Sequence, residues 1–256
     1  MYEDFNFRSR TEKSFLDHLE DLRWTILKIL GALLVGIIIT AVFVPHIFTI
    51  LQRPLLEIRE EMGTTGEDVS LVAIKPYEGL TNIMKVALFT GIIVSLPAIL
   101  YFILQFVMPA MTIREKRIII PGLLAGMGLF LAGIIFCYSV TLPLIVKMMW
   151  NINVRFGWKN VWTLSFYLSF ITNFLLANGL IFELPLALFI LVKLNILSLQ
   201  MLRKGRRHAI VIMFIVGAIL SPPDPGSMFL VALPMLVLYE ACIWVLVLTQ
   251  RKSEDE

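Results

Sequence analysis

The chain has 256 residues, of which 58% are hydrophobic and 16% charged, with a formal net charge of +3. Soluble domains run at about 45–50% apolar and about 25% charged, and disordered segments are poorer still in apolar side chains, so both classes are excluded. The composition is that of an integral membrane protein. Its two cysteines, Cys137 and Cys242, lie far apart in apolar runs and suggest neither a disulfide framework nor a metal knuckle.

About 20 apolar residues cross about 30 Å of hydrocarbon as a helix. In chain order such runs are 24–44, 81–108, 118–146 and 164–192, then a short run at 209–220, then 229–248. Ten-residue blocks of alternating polarity are absent, which argues against a membrane β-barrel. The first run follows a charged leader, 1–23, with no small-residue cleavage site, so it reads as a span and not as a removed signal. No transit peptide is read there either, and a prokaryotic plasma membrane is expected. The run at 209–220 makes only about 18 Å of helix, so it is either re-entrant or crosses where the bilayer is thinned.

Loop charge arbitrates. The leader, 109–117, 193–207 and the tail 249–256 together hold fourteen Lys and Arg, whereas 45–80, 147–163 and 221–228 hold six. That split obeys the positive-inside rule only if the short run crosses fully. The expected fold is therefore an all-α membrane domain over 1–256, with six spans, both termini cytoplasmic and two short C-terminal spans. Segment 45–80 forms an extracytoplasmic cap, in which Ile47, Ile50, Leu51, Leu55 and Ile58 repeat at helical spacing. That stripe predicts a surface helix over 46–61 resting on the membrane. No internal repeat is evident, which weakens a secondary-transporter reading.

Charges inside spans are costly and need a reason. Lys85 stands near the outer end of the second span, where it can snorkel. Glu183 lies in the middle third of the fourth span and is followed by Leu184 and Pro185, whose missing N–H frees the Ile181 carbonyl. A kink beside a mid-membrane carboxyl points to a concave, partly wet face, although a carboxyl paired to a neighbouring helix for structure alone gives the same pattern. Glu240, in the inner half of the last span, leaves the same two readings open.

The leader reads as a short amphipathic helix, with Phe15, Leu19 and Leu22 as its apolar stripe and Asp17, Glu20 and Asp21 as its polar face. Acids are unexpected beside an anionic leaflet. They either complement the helix N-terminus or receive a basic partner, and a carboxylate takes a guanidinium in a planar, two-pronged way that lysine cannot copy. In the 109–117 loop Glu115 is the one acid among three bases, and helix initiation is an alternative role for it. The proline-rich segment 221–227 predicts a tight hairpin in which Asp224 or Ser227 caps the last span. Gly122 and Gly126 form a small-xxx-small pair. There is no nucleotide-binding loop and no zinc-protease motif, and His18, His46 and His208 are scattered, so no enzyme activity, cofactor or metal is expected.

Five segments in order resemble the TatC family, the polytopic core of the twin-arginine protein translocase. They are HLEDLR at 18–23, the loop 106–117, FELPL at 182–186, LSPPD at 220–224 and PMLVLYE at 234–240. The resemblance implies a receptor for folded precursors carrying twin-arginine signal peptides, with single-span TatA- and TatB-type partners, assembly into oligomers, a proton gradient as energy source and no nucleic-acid ligand. It implies that Asp21 and Glu115 bind the two arginines, with Glu20, Arg23 and Phe106 close by. It further implies that Glu183, with Pro185 and Glu240, faces a groove that meets partner helices, and that Pro54 and Asp224 belong to the exterior loops. Two positions depart from the family pattern: Asp21 replaces a glutamate, and Met228 stands where glutamine is usual. The competing reading is a proton- or ion-coupled transporter that titrates Glu183.

Overall fold

The computed structural model describes residues 15–61, 71–107, 113–193, 196–222 and 224–254. The elements are α1 (Phe15–Glu61), β1 (Leu71–Val72), α2 (Glu78–Val107), α3 (Ile113–Phe136), a π-helical turn (Cys137–Thr141), α4 (Leu142–Arg155) and β2 (Trp162–Thr163). There follow α5 (Leu164–Phe182), α6 (Leu184–Lys193), α7 (Leu199–Lys204), α8 (Arg206–Leu220) and α9 (Pro225–Glu254). Five stretches are long and apolar enough to cross a membrane, namely Leu19–Ile58, Glu78–Ile103, Leu124–Arg155, Leu164–Val192 and Pro225–Leu248. Large aliphatic side chains face outward along them, Val42 at 76% exposure and Ile38 at 61% among them. In water such a surface would aggregate; lipid is its solvent.

α1 and α2 form the most extensive helix pair. They can approach closely because a Cβ on Gly36 would stand 2.8 Å from the Gly91 carbonyl oxygen, and one on Gly91 would stand 2.5 Å from Ile37 Cγ1. The Thr40 hydroxyl then lies 3.1 Å from the Ala87 carbonyl, a hydrogen bond across the pair. Lys28 Nζ sits 6.0 Å from the centre of the Phe102 ring further along the same seam. On the far side, α3 packs against α5 through Gly133 and Gly179 and against Glu183 and α6 through Gly126, each of which lacks room for a Cβ. Tyr167, Phe130, Leu142, Ile145, Leu168 and Ile171 fill the centre.

Three features differ from the expectations. The described part of the leader, from Phe15, the first span and the segment 46–61 form one 47-residue helix that runs through Pro45 and Pro54. Leu51, Leu55 and Ile58 are buried in the core while Ile50 is exposed, so most of the apolar stripe of 46–61 packs on protein and does not rest on lipid. The third span continues through the π-turn into α4 and ends only at Arg155, whereas the fourth divides at Glu183 into α5 and α6. Finally, the chain contains a two-stranded parallel bridge, Leu71 opposite Trp162 and Val72 opposite Thr163, that ties two of the connecting segments together. Strands of two residues leave no periodicity to read.

At that same end Asp224 caps α9, its Oδ2 accepting from the Ser227 N–H at 2.7 Å. Gly226 closes the hairpin against Met148 of α4. The 15 residues of α8 therefore lead from α7 to the end of the bundle that holds β1 and β2, over about 22 Å.

Candidate functional site

Two regions emerge from the residues singled out above. The first lies where α1 begins. Because α1 and α2 are antiparallel with Gly36 opposite Gly91 and Lys28 over Phe102, Asp21 stands level with the last turn of α2, which carries Phe106. Asp21 and Phe106 are half-buried, and Glu20 and Arg23 are exposed. The Asp21 carbonyl accepts from the Thr25 hydroxyl at 2.8 Å, an ordinary helical back-bond made by the main chain. Glu115 falls in the first turn of α3; its side chain lies outside the described residues, as does the 108–112 connection. One carboxylate and a phenyl ring thus occupy one rim, and the backbone of Glu115 follows them by a short connection.

The second region is the break at Glu183. Here the Glu183 N–H bonds the Leu180 carbonyl at 3.1 Å and the helix stops, because Pro185 has no N–H to continue it. The Glu183 carboxylate is laid against Gly126 of α3, where a Cβ would meet Glu183 Oε2 at 2.9 Å and Leu186 Cδ2 at 2.7 Å. Glu183 Oε1 is buried and has no hydrogen-bond partner among the described residues. An unpaired buried carboxylate oxygen is costly, so the break is held by the rest of the packing and not by this group. From the other side, the Cys242 thiol of α9 donates to the Pro185 carbonyl at 3.2 Å. An apolar cavity of about 450 Å³ opens beside the break, lined by Leu184, Pro185, Met213, Val216, Met235 and Tyr239 among others.

Glu240 does not join Glu183. It pairs with Arg206 at the start of α8, Nη2 to Oε2 2.9 Å, with both side chains partly exposed. That is the structural reading of its charge. Pro54 is remote from both regions: its missing N–H frees the Ile50 carbonyl, which accepts from the Tyr138 hydroxyl at 2.7 Å, while Tyr167 donates to the Leu51 carbonyl at 3.1 Å. The sequence reading missed both tyrosines and the contact between Gly126 and Glu183. A proline inside an otherwise helical run is the signal that a donor must exist elsewhere, but it does not say where. No group of three or more His, Cys, Asp or Glu suited to a metal ion occurs among the described residues.

The profile of the family described as "Sec-independent protein translocase protein (TatC)" matches residues 17–234. The Sec-independent protein translocase protein TatC of Aquifex aeolicus is 33% identical over 240 residues, covering 93% of this chain and 97% of that protein. The protein of the same description from Akkermansia muciniphila is 39% identical over 182 residues, which is 71% of this chain and 52% of that longer protein. A crystal structure described as the twin arginine translocase receptor TatC superposes with a TM-score of 0.78 at 33% identity, covering 91% of this chain and 99% of that one.

Proposed function

The chain belongs to the TatC family of Sec-independent protein translocase proteins, and on that premise we propose that it receives twin-arginine signal peptides at the rim where α1 begins. Family membership makes it a multi-pass membrane component of a protein translocase and not an enzyme, and the coupled-transporter reading of Glu183 is not favoured by these relatives. In the proposed reading the rim is cytoplasmic, α8 completes a sixth crossing and both termini lie inside, in accord with the fourteen-to-six division of basic residues. Asp21 and Glu115 take the two guanidinium groups, with Glu20, Arg23 and Phe106 bordering them. The observation that carries this reading is the antiparallel register of α1 and α2, which sets Asp21 beside the α2 terminus that leads to Glu115.

The chemistry favours arginine. A hydrogen bond to a charged group contributes about 1.5–3 kcal/mol, and a planar fork makes two at once where an ammonium cannot. Asp21 is one methylene shorter than the family's glutamate, so it keeps the charge and shortens the reach. Deeper in the membrane, the Glu183–Pro185 break and its apolar recess meet single-span TatA- and TatB-type partners. Assembly of several copies with those partners and movement of folded cargo under a proton gradient complete the reading.

The test is binding of an Arg-Arg signal peptide and its Lys-Lys counterpart to the purified chain, each against the parent and an Asp21→Ala, Glu115→Ala double variant. A preference for Arg-Arg of about tenfold, or about 1.4 kcal/mol, that the double variant erases supports the receptor reading. Equal binding of the two peptides by the parent overturns it.

A further inference from the structure

α2 and α5 run side by side in the same direction, both starting at the end of the bundle that carries β1 and β2. Between them lies a second cavity of about 250 Å³, which the signal-peptide reading does not use. Its lining changes character along the helices. At the end nearer β1 and β2 stand Lys85 and Ser169, next come Asn173 of α5 with Leu88 and Phe89 of α2 at about the same level, and furthest in the walls are Ile92 and Leu176.

The polar end is rich in donors. Lys85 Nζ spends one hydrogen on Ser169 Oγ at 2.9 Å, which leaves the ammonium two more and leaves the Ser169 hydroxyl hydrogen to donate in turn. Asn173 is exposed at the mouth and brings an amide. Thr172 contributes nothing polar, since its hydroxyl is turned back onto the Leu168 carbonyl at 2.7 Å. No carboxylate lines the cavity, and Lys85 has no ion-pair partner among the described residues. The nearest acid earlier on α2, Glu78, is buried and accepts from the Ile74 N–H at 2.9 Å. Lys85 lies about 10 Å along α2 from its first residue, within snorkelling reach of the headgroup layer.

We propose that this cavity is a lateral binding site for one anionic phospholipid of the leaflet at the β1–β2 end. Its phosphodiester is held by Lys85, Ser169 and Asn173, and an acyl chain lies along Leu88, Ile92 and Leu176. Two independent features select a lipid. A cluster of donors with one uncompensated positive charge fits an anion that only accepts hydrogen bonds, and the polar-to-apolar order along the membrane normal is that of a phospholipid. A free phosphate would match the first feature and waste the second. The Lys85 charge then has a ligand, where snorkelling alone would leave it in bulk headgroups.

Native mass spectrometry of the purified full chain, titrated with phosphatidylglycerol, phosphatidylcholine and inorganic phosphate, tests this. The parent should hold its first phosphatidylglycerol about fivefold more tightly than phosphatidylcholine, the size expected of one basic residue at an anionic leaflet. Lys85→Gln should lose that preference, and Lys85→Arg, which keeps the charge, should retain it. Asn173→Leu should weaken phosphatidylglycerol binding with every charge in place, and it carries the test if Lys85→Gln does not fold. Phosphatidylglycerol binding that is unchanged by Lys85→Gln or, where that variant is lost, by Asn173→Leu overturns the proposal. So does displacement of the lipid by inorganic phosphate.

Discussion

Pro54 and Pro185 each interrupt a membrane helix, and the molecule treats them in opposite ways. At Pro54 the freed Ile50 carbonyl accepts from the Tyr138 hydroxyl, the adjacent Leu51 carbonyl accepts from Tyr167, and α1 continues as a single helix for another turn and more. At Pro185 the helix stops, a thiol supplies a weak hydrogen bond to the Pro185 carbonyl, and one oxygen of Glu183 is buried with no partner among the described residues. The first break is satisfied and therefore structural. The second holds a polar group in apolar surroundings beside an open recess, and a cost of that kind persists where something other than stability is served.

The comparison can be broken from either side. The largest effect is expected from Gly126→Val, since even a Cβ there meets Glu183 Oε2 at 2.9 Å. Overpacking of this kind costs about 1–3 kcal/mol, and thermal unfolding in detergent should show it together with loss of export. Glu183→Gln keeps the shape and removes the charge. It should leave unfolding nearly unchanged while lowering export of a twin-arginine precursor about tenfold, which is about 1.4 kcal/mol in rate. A variant that unfolds early and exports normally for its amount would make the second break structural after all.

Smaller effects belong to Pro54. Tyr167→Phe and Tyr138→Phe should each cost about 1 kcal/mol of stability, in the range of hydrogen bonds between membrane helices, with export falling only as the amount of protein falls. In a Pro54→Ala background the Ile50 carbonyl regains a helical partner, so Tyr138→Phe should cost less there; additive losses would show that the hydroxyl does not serve the proline. Smallest of all, Arg206→Gln should change stability by less than about 0.5 kcal/mol, because the Arg206–Glu240 pair is about half exposed at 45% and 44%.

How far these features could be read in advance depends on the range of the interactions behind them. The apolar runs, the break at Glu183 and the Asp224 cap are local, and the structure has helix along the runs, a helix end at Glu183 and a capping carboxylate at Asp224. The continuity of α1 was not legible, because two prolines and a stripe of apolar residues describe a helix on a membrane as well as one buried in protein. The role of Gly126 was half legible: its small-residue pairing with Gly122 announced close packing, and both face Leu186, but nothing in the spacing named Glu183 as the group laid over it.

By itself the sequence determined the solvent of this protein, the approximate places where it meets that solvent and the chemistry of its leader and mid-membrane acids, because hydropathy, loop charge and proline act through a few neighbouring residues. Tertiary structure alone decided which carbonyls are rescued, which carboxylate is left unpaired and which lysine faces a pocket. Those outcomes depend on partners 57 to 116 residues away, such as Cys242 for Pro185 and Tyr167 for Leu51. Only the packed bundle brings such groups within hydrogen-bond distance.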